Sequence, residues 1–482
     1  MSLATDLRLD DVIAGTHRLS RDDAMRLYRE ASLHDLGRWS DAACRRIHGD
    51  TIRTFIKDRN VNYTNVCTAR CTFCAFRRDG DEHDAYTLSR DELHAKVAEL
   101  VGVGGFQVLL QGGMHPDLPL SWYEEMLGDL KRSFPQVHLH AFSPPEFVEF
   151  VACLDVDGFP TPGVGRAAEL SDETFRAKLD AIVQRLVAAG LDSIPGGGGE
   201  IFAEHVRRRI GIGKATATQW LEVMAAGHRA GLRTSATMMF GHIEGVADRV
   251  DHMLRVRDWQ DRAVAEGWPG GYVSFISWPF QRENTPLGRV PDWDPDAAAE
   301  SGEAFPGDVL ADAVVAGQVD SDSKAACDAL VPKAGKVVRM AGASEYLRTQ
   351  AISRLVLDNI HSIGASWVTM GPRIGQVALA FGANDMGSIM MEENVVSAAG
   401  TTYCLDEPVL CHLIRGAGFT PAVRNNAYDI VTTHDGPDSP DLQVKDWSQH
   451  RAKALHHERA DESVPATADV ALTVGGGSSS DS

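Results

Sequence analysis

From residue 60 onward, short apolar, β-prone runs alternate with longer stretches whose apolar positions recur at helical spacing. The runs predict strands at 60–66, 106–111, 137–142, 191–194, 233–240, 272–280, 363–370 and 384–390. The stretches between them predict helices at 91–101, 121–133, 172–189, 217–230, 246–264 and 344–359. Residues 1–50 carry amphipathic segments that open near Ser or Asp, residues able to cap a helix. Eight strands alternating with helices predict an α/β fold: a parallel sheet closed as a (β/α)8 TIM-type barrel over 51–430, with an N-terminal helical extension over 1–50.

Two segments break this rhythm. Residues 153–172 and 291–343 are acidic and rich in Gly, Pro and Ala, and read as surface insertions between barrel elements. Residues 431–482 read as a C-terminal extension whose end, Thr-Val-Gly-Gly-Gly-Ser-Ser-Ser-Asp-Ser, suits a disordered tail.

The chain of 482 residues is 44% hydrophobic, enough to bury a large core. No apolar run approaches the roughly 18 residues of a membrane span, and the start, Met-Ser-Leu-Ala-Thr-Asp-Leu-Arg-Leu-Asp-Asp, has no apolar signal core. A cytoplasmic protein without a membrane partner is expected. Net charge is −20, and Lys supplies only 10 of the 47 basic residues. Such a balance suits a halophilic protein kept soluble in concentrated salt, and also an ordinary acidic enzyme. In either case it argues against a nucleic-acid partner.

Of eight cysteines, Cys44, Cys153, Cys327, Cys404 and Cys411 are scattered, whereas Cys67, Cys71 and Cys74 fall within eight residues. A disulfide framework would not take this form. Cys67-x3-Cys71-x2-Cys74 follows directly on an expected strand, and soft thiolates suit an iron–sulfur cluster. Three of them hold three irons of a cubane and leave the fourth open. Zinc would want a fourth tight ligand, and the spacing of His83, the nearest candidate, matches no common zinc pattern.

With Phe73 just before the last Cys, the motif resembles that of the radical S-adenosylmethionine (SAM) superfamily. Further segments narrow the likeness: 109–127, His-Leu-His-Ala-Phe-Ser-Pro-Pro-Glu at 138–146, 190–202, 234–242, 274–288 and 365–401. Together they resemble the cyclic dehypoxanthine futalosine synthases of the futalosine route to menaquinone, over roughly 50–430 apart from the two insertions. Aminodeoxyfutalosine synthases and the radical synthases of deazaflavin cofactors are close relatives of that family. The resemblance implies a 4Fe–4S cluster on Cys67, Cys71 and Cys74, S-adenosyl-L-methionine as cofactor, and dehypoxanthine futalosine as substrate. It also implies an electron donor such as ferredoxin or flavodoxin.

It further implies cofactor contacts from Phe73, Gln111, Gly112, Gly113, Ser143, Gly197 and Gly198. The Gly-Gly pair would meet the methionine amino group, although a dipeptide of this kind also serves a plain strand-to-loop turn. Gly196–Gly199 could let backbone approach the cofactor ribose or the substrate, with Glu200 accepting hydrogen bonds from hydroxyl groups, or could be a flexible turn. His140, Ser143 and Glu146, at the end of the third strand, are candidates for substrate contact or acid–base work, with a structural hydrogen-bonded role open for His140. His140, Glu146 and Glu200 are the catalytic candidates. Arg77 and Arg78 either bind the substrate's benzoate or are solvated loop cations. Asn384, Asp385, Glu392, Glu393 and Asn394 surround the last strand, and one or more of them would line the pocket.

Overall fold

The computed structural model describes residues 2–401 and 403–450, so the Gly- and Ser-rich end at 460–482 lies outside the described residues. The N-terminal segment is helical as expected, over Leu3–Asp6, Leu9–Ala14, Arg21–Glu30 and Leu33–His48. Ser20, Ser32, Ser89, Ser171 and Thr216 each cap a helix start by accepting a backbone N–H, and Ser89 with Glu92 forms a reciprocal capping box. These polar stops explain why the boundaries of 90–102, 172–189 and 217–229 were readable.

Twelve strands follow: β1 (Ile52–Ile56), β2 (Asp58–Asn62), β3 (Arg70–Cys71), β4 (Gln107–Gln111), β5 (His138–Ala141), β6 (Gly211–Ile212), β7 (Arg233–Phe240), β8 (Gly271–Pro279), β9 (Ser362–Gly364), β10 (Asp385–Ser388), β11 (Thr420–Arg424) and β12 (Ile430–Thr433). One sheet runs β12-β11-β1-β10-β9-β8-β7 and a second runs β2-β4-β5, parallel throughout except for β12. Only Lys57 separates β1 from β2, so one continuous run of chain serves both sheets.

The strand expected at 191–194 is reduced to a bridge. Ser193 pairs with His140, the Ala141 N–H donates to Ser193 O at 2.9 Å, and on the other side Ser235 N–H donates to Ile194 O at 3.4 Å. Pro195 has no N–H to continue a ladder, and four glycines follow it. The run expected as a strand at 363–370 divides into β9 and a short helix, Trp367–Met370. Five strands were not expected from sequence: β1, the two-residue β3 and β6, β11 and β12. The segment 291–343 holds helices Pro295–Ser301, Pro306–Val315 and Lys324–Leu330 around a small core of Leu310, Ala313, Val319, Cys327 and Val331. It docks through Asp308, which accepts from Val246 N–H at 2.9 Å and is held within the segment by Arg339 at 2.6 Å.

Two register rows of the larger sheet are small or polar at every position but Ile276. Ser235, Ser274 and Ser362 are one register row, and Thr237, Ile276, Gly364 and Asp385 are the next. Arg424, from the hairpin β11–β12, pairs with Asp385 at 2.7 Å and lies 3.9 Å over the Tyr428 ring. Asp385 also accepts from Thr54 at 2.6 Å. Asp58 accepts from Gln107 at 3.1 Å and from Ser388. Burial raises the Asp58 carboxyl to about 6. A carboxyl whose folded value is raised binds its proton more tightly in the native state. Its contribution is therefore present below the unfolded value near 4 and is lost as pH rises through about 6. Asp58→Asn should accordingly flatten the fall in stability between about pH 4 and pH 6, a span worth roughly 3 kcal/mol in the wild type. Chemical denaturation across that range measures it; an unchanged slope would place the titration elsewhere.

Candidate functional site

The cysteine loop leaves the end of β2 and is held by its own cations. Arg77 Nε donates to Cys67 O at 3.2 Å, and Arg78 Nη1 donates to the carbonyls of Ala75, Phe76 and Arg77 while its Nε pairs with Asp84 at 2.7 Å. Neither arginine is a solvated loop cation; both shape the loop. Cys71 lies in β3, which pairs antiparallel with β6, and Thr72 N–H donates to Ile210 O at 2.7 Å. All three cysteines are half-buried. Burial pushes the Cys71 thiol up to about 12, opposed by the cation of Lys214. Lys214 lies 4.9 Å over the Phe73 ring and 2.7 Å from Glu200.

Glycine is required at the end of β4. A Cβ on Gly113 would stand 2.1 Å from Val66 O and 2.9 Å from Cys67 Cβ, and one on Gly112 would stand 2.5 Å from the Tyr63 ring. The strand end thus lies directly against the start of the cysteine loop. Glu146 fixes that contact. Its Oε1 accepts from Tyr63 Oη at 2.5 Å and Gly112 N–H at 3.2 Å, and its Oε2 accepts from Ser143 N–H and Oγ, both at 2.7 Å. Four donors use the lone pairs of one carboxylate. Burial nonetheless raises its carboxyl to about 7. Glu146 is a tie between the ends of β2, β4 and β5, and Ser143 is its partner in a capping box for the helix Pro144–Cys153.

The Gly196–Gly199 turn is braced, not loose. The four carbonyls accept from Thr237 Oγ1 at 2.5 Å, Trp220 Nε1 at 3.0 Å, Arg207 Nη2 at 3.2 Å and Arg207 Nη1 at 2.6 Å in order. A Cβ on Gly197 would meet Gln111 Nε2 at 2.4 Å, and one on Gly198 would meet Pro145 at 2.3 Å. Gln111, Ser143 and this turn are therefore in contact. Glu200 follows with φ +35°, a left-handed conformation for a non-glycine residue. Lys214 and Arg207 were not singled out from sequence; nothing local in Arg-Arg-Arg-Ile-Gly-Ile-Gly-Lys marks which cation turns inward.

His140 stands apart from that group, deeper along β5. Its Nδ1 is 2.6 Å from Ser193 Oγ, and burial holds the ring well below 6.5. Around β10 the candidates divide. Asn384 accepts from Arg354 at 2.7 Å, and Glu392 pairs with Arg59 at 2.6 Å and Lys96 at 2.8 Å. Both serve the scaffold. Glu393 accepts from Asn60 at 3.2 Å and from two backbone N–H groups, while Asn394 donates to Asn62 at 3.2 Å.

The residues present fit an iron–sulfur cubane with SAM beside it. Three cysteines share one loop, and a glycine strand end lies against its start with no side chain in the way. No helix among the described residues is long and apolar enough to cross a membrane.

Comparison with known proteins agrees. Residues 61–256 match the radical SAM superfamily profile, and residues 324–436 match the CofH/MqnC C-terminal region, which begins inside the segment read from sequence as an insertion. The chain is 35% identical over 87% of its length, and 93% of the relative's, to a cyclic dehypoxanthine futalosine synthase of Halalkalibacterium halodurans. It is 34% identical to the protein of that name in Streptomyces coelicolor, over 89% of each chain. An aminodeoxyfutalosine synthase of Streptomyces coelicolor is 31% identical over 89% of this chain and 95% of its own. Among solved structures, methylornithine synthase (PylB) has the same fold, with a TM-score of 0.53 at 16% identity, over 87% of this chain and 97% of that one. At 35% identity over nearly the whole of both chains, this protein belongs to the radical SAM superfamily, in the group that carries the CofH/MqnC C-terminal region, and is an enzyme that uses a 4Fe–4S cluster and SAM.

Proposed function

We propose that the chain converts dehypoxanthine futalosine into cyclic dehypoxanthine futalosine in menaquinone biosynthesis. The observation that carries this reading is the match, over about nine-tenths of each chain, to two proteins named for that cyclisation. Aminodeoxyfutalosine synthases stand at 31–32% identity, and a methanogen tyrosine 4-hydroxyphenyl transferase at 34% over less of this chain. The two sheets, bridged at Ser193, form one (β/α)8 barrel over 51–430 in this reading. A ferredoxin- or flavodoxin-like protein supplies electrons in the cytoplasm.

When bound, the cluster and SAM supply an adenosyl radical that takes a hydrogen atom from the substrate. The chain's own residues do the rest. Cys67, Cys71 and Cys74 would hold three irons. Gly112 and Gly113 leave backbone approachable beside them, and Glu146 keeps the ends of β2, β4 and β5 at fixed separation. Lys214 and Glu200, paired over Phe73, offer charge and hydrogen bonds beside the cysteine loop. The row of Ser235, Ser274 and Ser362 sets small hydroxyl side chains side by side across the sheet, which suits a ribose-bearing substrate.

Gly113→Ala should drive its Cβ into the Val66 carbonyl and lower SAM cleavage by about a hundredfold or more, while Cys327→Ala leaves iron content and cleavage unchanged. Normal cleavage by Gly113→Ala would remove the close strand-end contact from the account.

The reading itself is tested anaerobically with dehypoxanthine futalosine and a chemical reductant, followed by mass spectrometry. Cyclised product with methionine and 5′-deoxyadenosine in equal amounts is expected. An adenosyl group covalently joined to the product would replace this reading with that of aminodeoxyfutalosine synthase.

A further inference from the structure

His138 and His140 leave the same strand two residues apart, so both rings lie on one face of the sheet. Both reach one hydroxyl. Ser193 Oγ is 2.6 Å from His140 Nδ1 and 2.7 Å from His138 Nε2, and Ser193 is fully buried. The three side chains make a continuous chain of hydrogen bonds. Its inner end is His140, 7% exposed, whose Nε2 has no hydrogen-bond partner among the described residues. Its outer end is His138, the first residue of β5, with a side chain 31% exposed and Nδ1 4.0 Å from Asp192.

Burial disfavours positive charge on both rings. Arg424 and His138 add to this at His140, whereas at His138 the Asp192 carboxylate opposes it, with Lys131 beside Asp192 acting the other way. A proton arriving at the inner ring has a hydrogen-bonded path to the part-exposed ring beside Asp192. A purely structural histidine pair would need neither a shared hydroxyl nor one end at the surface.

We propose that His140, Ser193 and His138 form a relay that removes the proton released when the substrate's aryl ring regains aromaticity, with His140 as the acceptor. This rests on the cyclisation proposed above. In that reaction a ribose carbon radical forms a carbon–carbon bond to the aryl ring, and the ring must then lose one proton and one electron. The electron goes to a one-electron acceptor of the iron–sulfur class, the oxidised cluster. The ring C–H bond breaks, and its proton goes to His140 Nε2. His140 gives up its Nδ1 proton to Ser193 Oγ, the Ser193 hydroxyl proton passes to His138 Nε2, and His138 releases its Nδ1 proton toward Asp192 and solvent. His140 is the catalytic residue of this step; Ser193 and His138 act through it.

Ser193→Ala and His138→Gln break the relay and leave the cysteine loop untouched, and Ser193→Thr restores the hydroxyl. In single turnovers with dehypoxanthine futalosine, both relay-breaking variants should release 5′-deoxyadenosine as fast as wild type while cyclised product falls by about a hundredfold. Ser193→Thr should recover most of it. Without cluster or substrate, histidine 15N NMR of the wild-type apoprotein should show His140 protonated on Nδ1 and a strongly downfield N–H proton, lost in Ser193→Ala at unchanged melting temperature. Wild-type yields of cyclised product from both variants would overturn the relay, as would an equal loss of 5′-deoxyadenosine and product at normal iron content. A wild-type enzyme that forms no cyclised product would instead overturn the cyclase reading beneath it.

Discussion

One buried carboxylate holds the working end of this protein together. Glu146 accepts from Tyr63 just past β2, Gly112 past β4 and Ser143 past β5, and so fixes three strand ends with four hydrogen bonds. The cysteine loop starts four residues after Tyr63, and Gly113 lies against it with no space for a methyl group. Gly197 in turn lies on Gln111 and Ser143. Without this tie, the loop that carries the three cysteines and the glycine strand end packed against it would be positioned independently, and small misplacements are costly in chemistry that depends on contact.

The opposite end of the sheet is organised by the C-terminal region. Hairpin β11–β12 joins the sheet beside β1, and Arg424, over the Tyr428 ring, reaches in to Asp385. A buried ion pair of this kind adds little net stability by itself, but losing one partner is expensive. This places a fixed positive charge near His140 and couples residues 420–428 to the strands that bear the chemistry.

Local chemistry was legible in the sequence and distant partnerships were not. Cys67-x3-Cys71-x2-Cys74 is complete within eight residues, so no fold knowledge was needed to find it. Strand β7 was readable to the residue because 233–240 is flanked by Gly231 and Gly241 and filled with β-prone residues. Ser143-Pro-Pro-Glu146 has the spacing of a capping box, yet its carboxylate suggested acid–base work, because Tyr63 and Gly112, which complete its shell, lie more than thirty residues away. Ser193 was invisible: its strand is reduced to a bridge by Pro195 and the glycines, and its importance lies only in the two histidines it touches. Lys214 follows a two-residue strand that exists only because β3 pairs with it. Strand β11 escaped notice because Pro421 argues against a ladder in which it need not donate.

The central claim is that this strand-end assembly delivers a radical to the ribose of an aryl-linked nucleoside. Substrate carrying deuterium at the ribose hydrogen to be removed tests it most directly, with 5′-deoxyadenosine and product both analysed by mass spectrometry after anaerobic turnover. The account predicts that the deuterium appears in 5′-deoxyadenosine and is missing from the cyclised product. Deuterium retained in the product would contradict it.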